Sequence, residues 1–211
     1  MADGYLENRY DEVFGKNAKK TIVKRVSLDN LLERNRSYRG YHTDTVVSRE
    51  TLEKIVAVNP LVPSACNQQV LRFKLVTKDS GAEKVLANIK LGAALPELHL
   101  PLPGTEPEAF IIICSKSPEG KLVDIDLGIS AQSMLLKATE LGYNGIIIGA
   151  FHKEHIKKAF ELPYDPLLIV AIGRGAELIR CVEIVENEPH AYYRQQGIHF
   201  VPKVRLKDLL L

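Results

Sequence analysis

The chain has 211 residues, 45% of them apolar and 26% charged, with a net charge of +2, which suits one domain with a sizeable core or two small ones at most. So small a charge gives no argument for nucleic acid or an anionic membrane surface, and no stretch approaches the roughly 20 apolar residues of a membrane span. Cys66, Cys114 and Cys181 are odd in number and lack CxxC spacing, which favours a reducing cytoplasm over a disulfide framework or a structural zinc.

Residues 1–27 are polar and patchy, with Lys16, Lys19 and Lys20 close together; they read as an extension packed on the surface. The first seven residues lack a positive start followed by an apolar run, so they do not read as a secretory signal. Ser27 is a candidate N-cap, and Leu28, Leu31 and Leu32 give one apolar face at helical spacing. That helix ends near Asn35 and delivers a basic run, residues 34–39, to a turn. Arg36 and Arg39 offer planar forks of donors and Ser37 a rotatable hydroxyl, a set suited to phosphate oxygens. Taken alone, such a run reads as a solvated face.

A second helix is expected over residues 48–58, stopping at Asn59-Pro60. A small polar loop, residues 61–69, then leads into an alternating strand over 72–77. Ser80 and Glu83 have capping-box spacing for a short helix through Ile89. Residues 92–107 hold four prolines with leucines between them, an ordered loop or lid rather than a solvated linker. The apolar run 109–114 implies a strand buried on both faces. The longest helix is expected over 124–141, with Leu127, Ala131, Met134, Leu135, Ala138 and Leu141 inward and Gly142 ending it. Strands at 146–148 and 167–172 flank a helix over 153–160, an edge strand is expected at 183–185, and the tail from Val201 is extended. Strands and helices interleaved around apolar runs indicate a mixed α and β layer fold.

Evident catalytic groups are scarce. His152 and His155 lie three apart, without a third metal ligand of matching type nearby. Cys114 and Cys181 sit in apolar runs and read as core, while Cys66 lies in a loop without an evident base. Asp124 and Asp126 open a helix, where capping outweighs general acid work. The chain has no GxSxG, Walker loop or HExxH, and Gly173-Arg174-Gly175 does not continue into a dinucleotide fingerprint. Enzymes whose bound cofactor carries the chemistry need only binding, orientation and electrostatics from the protein.

Five segments read together carry a resemblance. They are Asn35-Arg36-Ser37-Tyr38-Arg39; Pro63-Ser64-Ala65-Cys66-Asn67-Gln68-Gln69; Asp126-Leu127-Gly128 with Ala131-Gln132; Glu140 to Gly145 before Ile148-Gly149-Ala150-Phe151; and Pro202-Lys203-Val204-Arg205-Leu206. Over roughly residues 28–211 the chain resembles the FMN-dependent nitroreductase family. The resemblance implies an α+β fold, a central and mostly antiparallel sheet flanked by helices, in an intertwined homodimer. It implies that Arg36, Ser37 and Arg39 hold the FMN phosphate and ribityl chain on one side, with Lys203 and Arg205 on the other. Pro63, Ser64, Ala65, Asn67 and Gln69 would reach the partner subunit's FMN, and backbone groups around Ile148 and Gly149 would face the flavin ring.

The chain departs from the family at Asn35, where arginine is frequent, and at Val70-Leu71, where Pro-Trp is frequent. The resemblance implies hydride transfer from NAD(P)H through the flavin to a nitroaromatic, quinone or related electrophile, with no side chain required as acid or base. A flavin carrier or sensor without turnover, and a same-fold enzyme for reductive dehalogenation or flavin breakdown, are the alternatives.

Overall fold

The computed structural model describes residues 26–92 and 98–211. Most of the expected N-terminal extension therefore lies outside the described residues, as does the start of the proline-rich segment.

A four-stranded sheet holds the fold together. Its strands are β1 (Leu71–Val76), β2 (Ala109–Ser115), β3 (Asn144–Ile148) and β4 (Asp165–Gly173), in the order β1-β2-β4-β3, and every neighbouring pair is antiparallel. The apolar run that forms β2 is buried along its whole length. Because side chains alternate across a strand, Ala109, Ile111 and Ile113 enter one core while Phe110, Ile112 and Cys114 enter the other. Phe110, Ile111, Ile112 and Ile113 are fully buried, each worth about 1.5–3 kcal/mol relative to exposure.

Helices cover both faces. α1 (Leu28–Arg34) and α2 (Arg49–Val56) begin at Ser27 and Ser48, whose hydroxyls accept from backbone N–H groups in the first turn. A short α3 (Ala82–Leu86) and α5 (Lys153–Ala159) cover the Phe110 side. α4 (Lys121–Glu140) covers the other, presenting Leu127, Ala131, Met134, Leu135 and Ala138 to the core. Gly142 ends α4 with φ +86°, a left-handed turn that suits glycine. Among the described residues, no helix is long and apolar enough to cross a membrane.

A second, three-stranded sheet follows. β5 (Leu178–Ile184) runs parallel to β7 (Ile198–Val204), and the short β6 (Tyr193–Gln195) pairs antiparallel with β7. A single-turn α6 (Leu206–Leu209) closes the chain.

The structure corrects several expectations. α4 starts at Lys121, so Asp126 lies in its second turn and is buried rather than capping. The helix expected from Ser80 to Ile89 is a 3-10 turn, Lys78–Ser80, followed by α3, because the reciprocal side-chain and backbone bonds join Thr77 to Ser80 instead of Ser80 to Glu83. The edge strand at 183–185 is the end of the longer β5. Cys181 is not core: it sits on β5, where alternate residues are open to solvent, and its side chain is exposed.

Candidate functional site

The basic run at the end of α1 is held against the main sheet by backbone. Asn35 leaves the helix in an extended conformation, Ser37 bridges in parallel to Gly145, and the Tyr38 N–H donates to the Gly145 carbonyl at 3.1 Å. Residue 145 must be glycine for its packing on β4, since a Cβ there would stand 2.4 Å from the Ala171 carbonyl oxygen. The run is also pinned from the C-terminal side. Glu177 accepts from the backbone N–H of Arg39 and, at 3.1 Å, of Gly40, and its other oxygen pairs with Arg194 on β6.

This places Arg36, Ser37, Arg39 and Lys203 around one cavity of about 310 Å³. Gln132 and Leu135 of α4 and Ile147 of β3 form its wall, and Tyr192, His199 and Val201 come from the small sheet and its approach. Arg39 is buried, its guanidinium carbon 4.7 Å over the Tyr192 ring, and it donates to the Ser37 carbonyl at 3.1 Å. Arg36 donates to Cys181 Sγ at 3.0 Å and to the Leu32 carbonyl. Yet the Nε atoms of both arginines are closed off from solvent without a hydrogen-bond partner, and so is His199 Nδ1. An unsatisfied buried donor costs about 1–3 kcal/mol, more when charged. Two such donors, with Lys203 beside them, fit a ligand rich in anionic oxygens. Burial holds the His199 imidazole below its usual range, aided by Arg39 and by Arg194, while Glu177 opposes them.

The Pro63–Gln69 loop occupies a different surface. Pro63, Ser64 and Gln69 line a wider groove of about 610 Å³, together with residues of α2 and β1. The loop is conformationally demanding: Cys66, Asn67 and Gln69 take φ values of 49°, 52° and 49°, a region that costs non-glycine residues free energy. Asp126 holds it, accepting the Ala65 N–H at 2.8 Å, and Ser64 Oγ accepts the Gln69 N–H at 3.1 Å. The Asn67 side chain is tied to Gln69, whose Nε2 donates to Asn67 Oδ1 at 3.1 Å.

The structure thus brings four of the expected residues together and disperses others. Arg205 does not line the basic cavity; its Nε donates to Asp208 at 2.9 Å. At Ile148 the expectation concerns backbone groups; its side chain enters the core on the far side of the sheet, and that of its neighbour Ile147 lines the cavity. Gly149 stands in open space after β3. Tyr192 and His199 were not expected. The signal for His199 in the sequence was the period of two linking it to Val201 and Lys203, which places all three on one side of β7; Tyr192 carried none.

The comparisons agree with this architecture. Residues 32–174 match the model of the nitroreductase family. An Archaeoglobus fulgidus protein named provisionally as an NADH dehydrogenase/NAD(P)H nitroreductase is 30% identical over 129 residues, covering 59% of this chain and 68% of the relative. A nitroreductase family protein from Clostridium difficile superposes with a TM-score of 0.58 at 24% identity, over 72% of this chain and 87% of that one. A provisionally named nitroreductase from Exiguobacterium sibiricum, solved in complex with FMN, superposes with a TM-score of 0.59 at 20% identity, over 72% and 90%. The matched region holds the whole main sheet and the first basic motif, and the chain belongs to the nitroreductase family.

Proposed function

We propose that the protein is an FMN-dependent oxidoreductase that passes a hydride from NAD(P)H to a nitroaromatic, quinone or related small electrophile. The observation that carries this reading is the basic cavity, where two buried guanidinium Nε groups without partners converge with Lys203 from the far end of the chain. FMN, when bound, supplies reversible two-electron hydride transfer. Arg36, Ser37, Arg39 and Lys203 hold the phosphate and ribityl chain, and Leu135 and Ile147 supply an apolar wall. The protein's part is therefore to bind, orient and shield, with no side chain assigned as acid or base.

The protein works as a homodimer with FMN at the subunit interface. The Pro63–Gln69 loop lies away from the basic cavity of its own chain, which suits a loop that serves a second copy. The substrate lid is assigned to the proline-rich segment, whose described residues Leu100, Leu102 and Thr105 line a further cavity with Glu177 and His199. The protein's three thiols are free, which suits the cytoplasm.

The test is anaerobic. Purified protein should be yellow or take up FMN, bleach with NADH or NADPH, and regain colour with a nitroaromatic or quinone. Protein that binds no FMN would overturn the cofactor assignment; a flavin that neither nicotinamide bleaches would overturn the reaction. Light scattering that finds a monomer with FMN tightly bound would overturn the shared site.

A further inference from the structure

The Arg36 guanidinium is bracketed between two elements. On one side Nη2 donates to the Leu32 carbonyl, one of the carbonyls left open at the end of α1. On the other, Nη1 donates to Cys181 Sγ at 3.0 Å. Those two atoms are its hydrogen-bond partners among the described residues, and Nε, closed off from solvent, has none. Cys181 sits on β5 in register with Val201 of β7, two residues along from the in-register pair Ile179 and His199. Residues two apart on a strand share a side of the sheet, and Ile179, His199 and Val201 all line the basic cavity. The thiol therefore stands on the cavity side. It is exposed and is not itself part of the lining, so it lies at the rim and reaches the cavity only through Arg36.

We propose that Cys181 is a positioning residue for the cofactor site: its sulfur fixes the Arg36 guanidinium at the cavity wall, where Arg36 serves FMN. This rests on the FMN reading above. Arginine presents its donors in a rigid planar fork. A single contact would let that fork turn, whereas contacts on both Nη atoms, one from α1 and one from β5, fix its plane. The Nε–H and the remaining Nη hydrogens are left for the oxygens of a ligand. A long side chain that is free has to be ordered when it engages a ligand, and one already held does not, so the contact raises affinity by preorganisation. A thiol sulfur is a weak acceptor, and a cationic donor strengthens the bond it makes. β5 lies beyond the residues matched to the nitroreductase family, so this contact belongs to the chain's own C-terminal sheet.

The experiment is a double-mutant cycle on FMN binding. Affinity of the full-length protein is followed by quenching of flavin fluorescence for wild type, Cys181→Ala, Cys181→Ser, Arg36→Ala and the Arg36→Ala/Cys181→Ala pair, with urea midpoints measured alongside. Cys181→Ala should weaken FMN about two- to tenfold, the range of one modest hydrogen bond. Cys181→Ser, whose hydroxyl also accepts, should stay within about twofold of wild type. Arg36→Ala should weaken FMN further than Cys181→Ala does, and adding Cys181→Ala to it should change nothing more, because the thiol acts through Arg36. Wild-type affinity in Cys181→Ala overturns the proposal, as does a Cys181→Ala loss of the same size with and without Arg36. A lowered urea midpoint in Cys181→Ala also overturns it, because the thiol would then support the fold rather than the site. Wild type that binds no FMN removes the cofactor reading, and this inference with it; wild type that binds FMN while Cys181→Ala is unaffected removes the inference alone. Should Arg36→Ala fail to fold, the Nε–H resonance of Arg36 decides: it should move in Cys181→Ala and return toward its wild-type position in Cys181→Ser, and an unmoved resonance overturns the assignment.

Discussion

The central carbon of the Arg39 guanidinium stands over the Tyr192 ring, 4.7 Å from its centroid. This contact ties the first basic motif to the small C-terminal sheet. A cation over an aromatic face contributes about 0.5–1 kcal/mol when exposed and about 2 kcal/mol when desolvated, and Arg39 is buried. Tyr192→Leu should therefore lower stability by about 1–2 kcal/mol and weaken FMN several-fold, whereas Tyr192→Phe should retain both. Urea denaturation and flavin quenching read the two effects.

Glu177 performs a related task through hydrogen bonds. It holds the N–H groups of Arg39 and Gly40 and neutralises Arg194 from a largely buried position. Glu177→Ala would leave two backbone donors and one guanidinium without their acceptor. Breaking a buried pair on one side costs about 3–5 kcal/mol; with Arg194 partly exposed, a loss of about 3 kcal/mol is expected. A denaturation midpoint unchanged from wild type would show that Glu177 does not support the motif.

Lys203 and Arg205 separate cleanly. Lys203 lines the basic cavity, and Arg205 is engaged by Asp208 outside it. Lys203→Ala should weaken FMN at least tenfold, as loss of one charge-assisted bond of about 1.5–3 kcal/mol requires. Arg205→Ala should change FMN affinity by less than about threefold, on the order of the 0.5 kcal/mol expected away from a contact. Equal losses in both variants would mean that Arg205 reaches the phosphate.

The contrast between these two residues shows what was legible in the chain. The main sheet was readable because its strands are unbroken apolar runs: residues 109–115 are buried throughout, and the run 167–172 falls within β4. Arg36, Ser37, Arg39 and Lys203 were named only through the family resemblance, since the basic run alone reads as a solvated face and no spacing links it to Lys203; the structure brings the four around one cavity. The small sheet was not, because β5 alternates half-buried and exposed residues around charged Arg180 and Glu183, a weak pattern for a strand. Tyr192 and His199 are ordinary residues in the sequence and acquire a role only when β6 and β7 fold beside Arg39. Ile147 and Ile148 differ only in which side of β3 they face, and the uniform isoleucine run 146–148 hides that phase.

Thiol reactivity offers an independent check on burial. Burial, with Asp165 adding to it, pushes the Cys114 thiol up to about 11, whereas Cys66 and Cys181 are exposed. The thiolate is the nucleophile, so at pH 8 Cys114 is almost wholly protonated as well as enclosed. Iodoacetamide should label Cys66 and Cys181 in the native protein and reach Cys114 only on unfolding. Peptide mass spectrometry of a time course measures this, and rapid native labelling of Cys114 would contradict the position of β2 in the core.

Asp126 provides the sharpest test of the second surface. It is 4% exposed, and its Oδ1 accepts the Ala65 N–H at 2.8 Å, so one side chain of α4 fixes a loop in which three non-glycine residues adopt left-handed φ. Asp126→Ala removes that acceptor without altering the residues that line the basic cavity. The loop should then relax toward ordinary backbone angles, with a stability loss of about 1–3 kcal/mol for the buried hydrogen bond to a charged group. Hydrogen exchange at residues 64–69 should accelerate while exchange in β2 and β4 stays slow. If the loop serves the flavin of a second copy, FMN affinity falls as well. Unchanged exchange at Ala65 would show that the loop is held by something other than Asp126, and unchanged flavin affinity with faster exchange would remove the loop from the cofactor site.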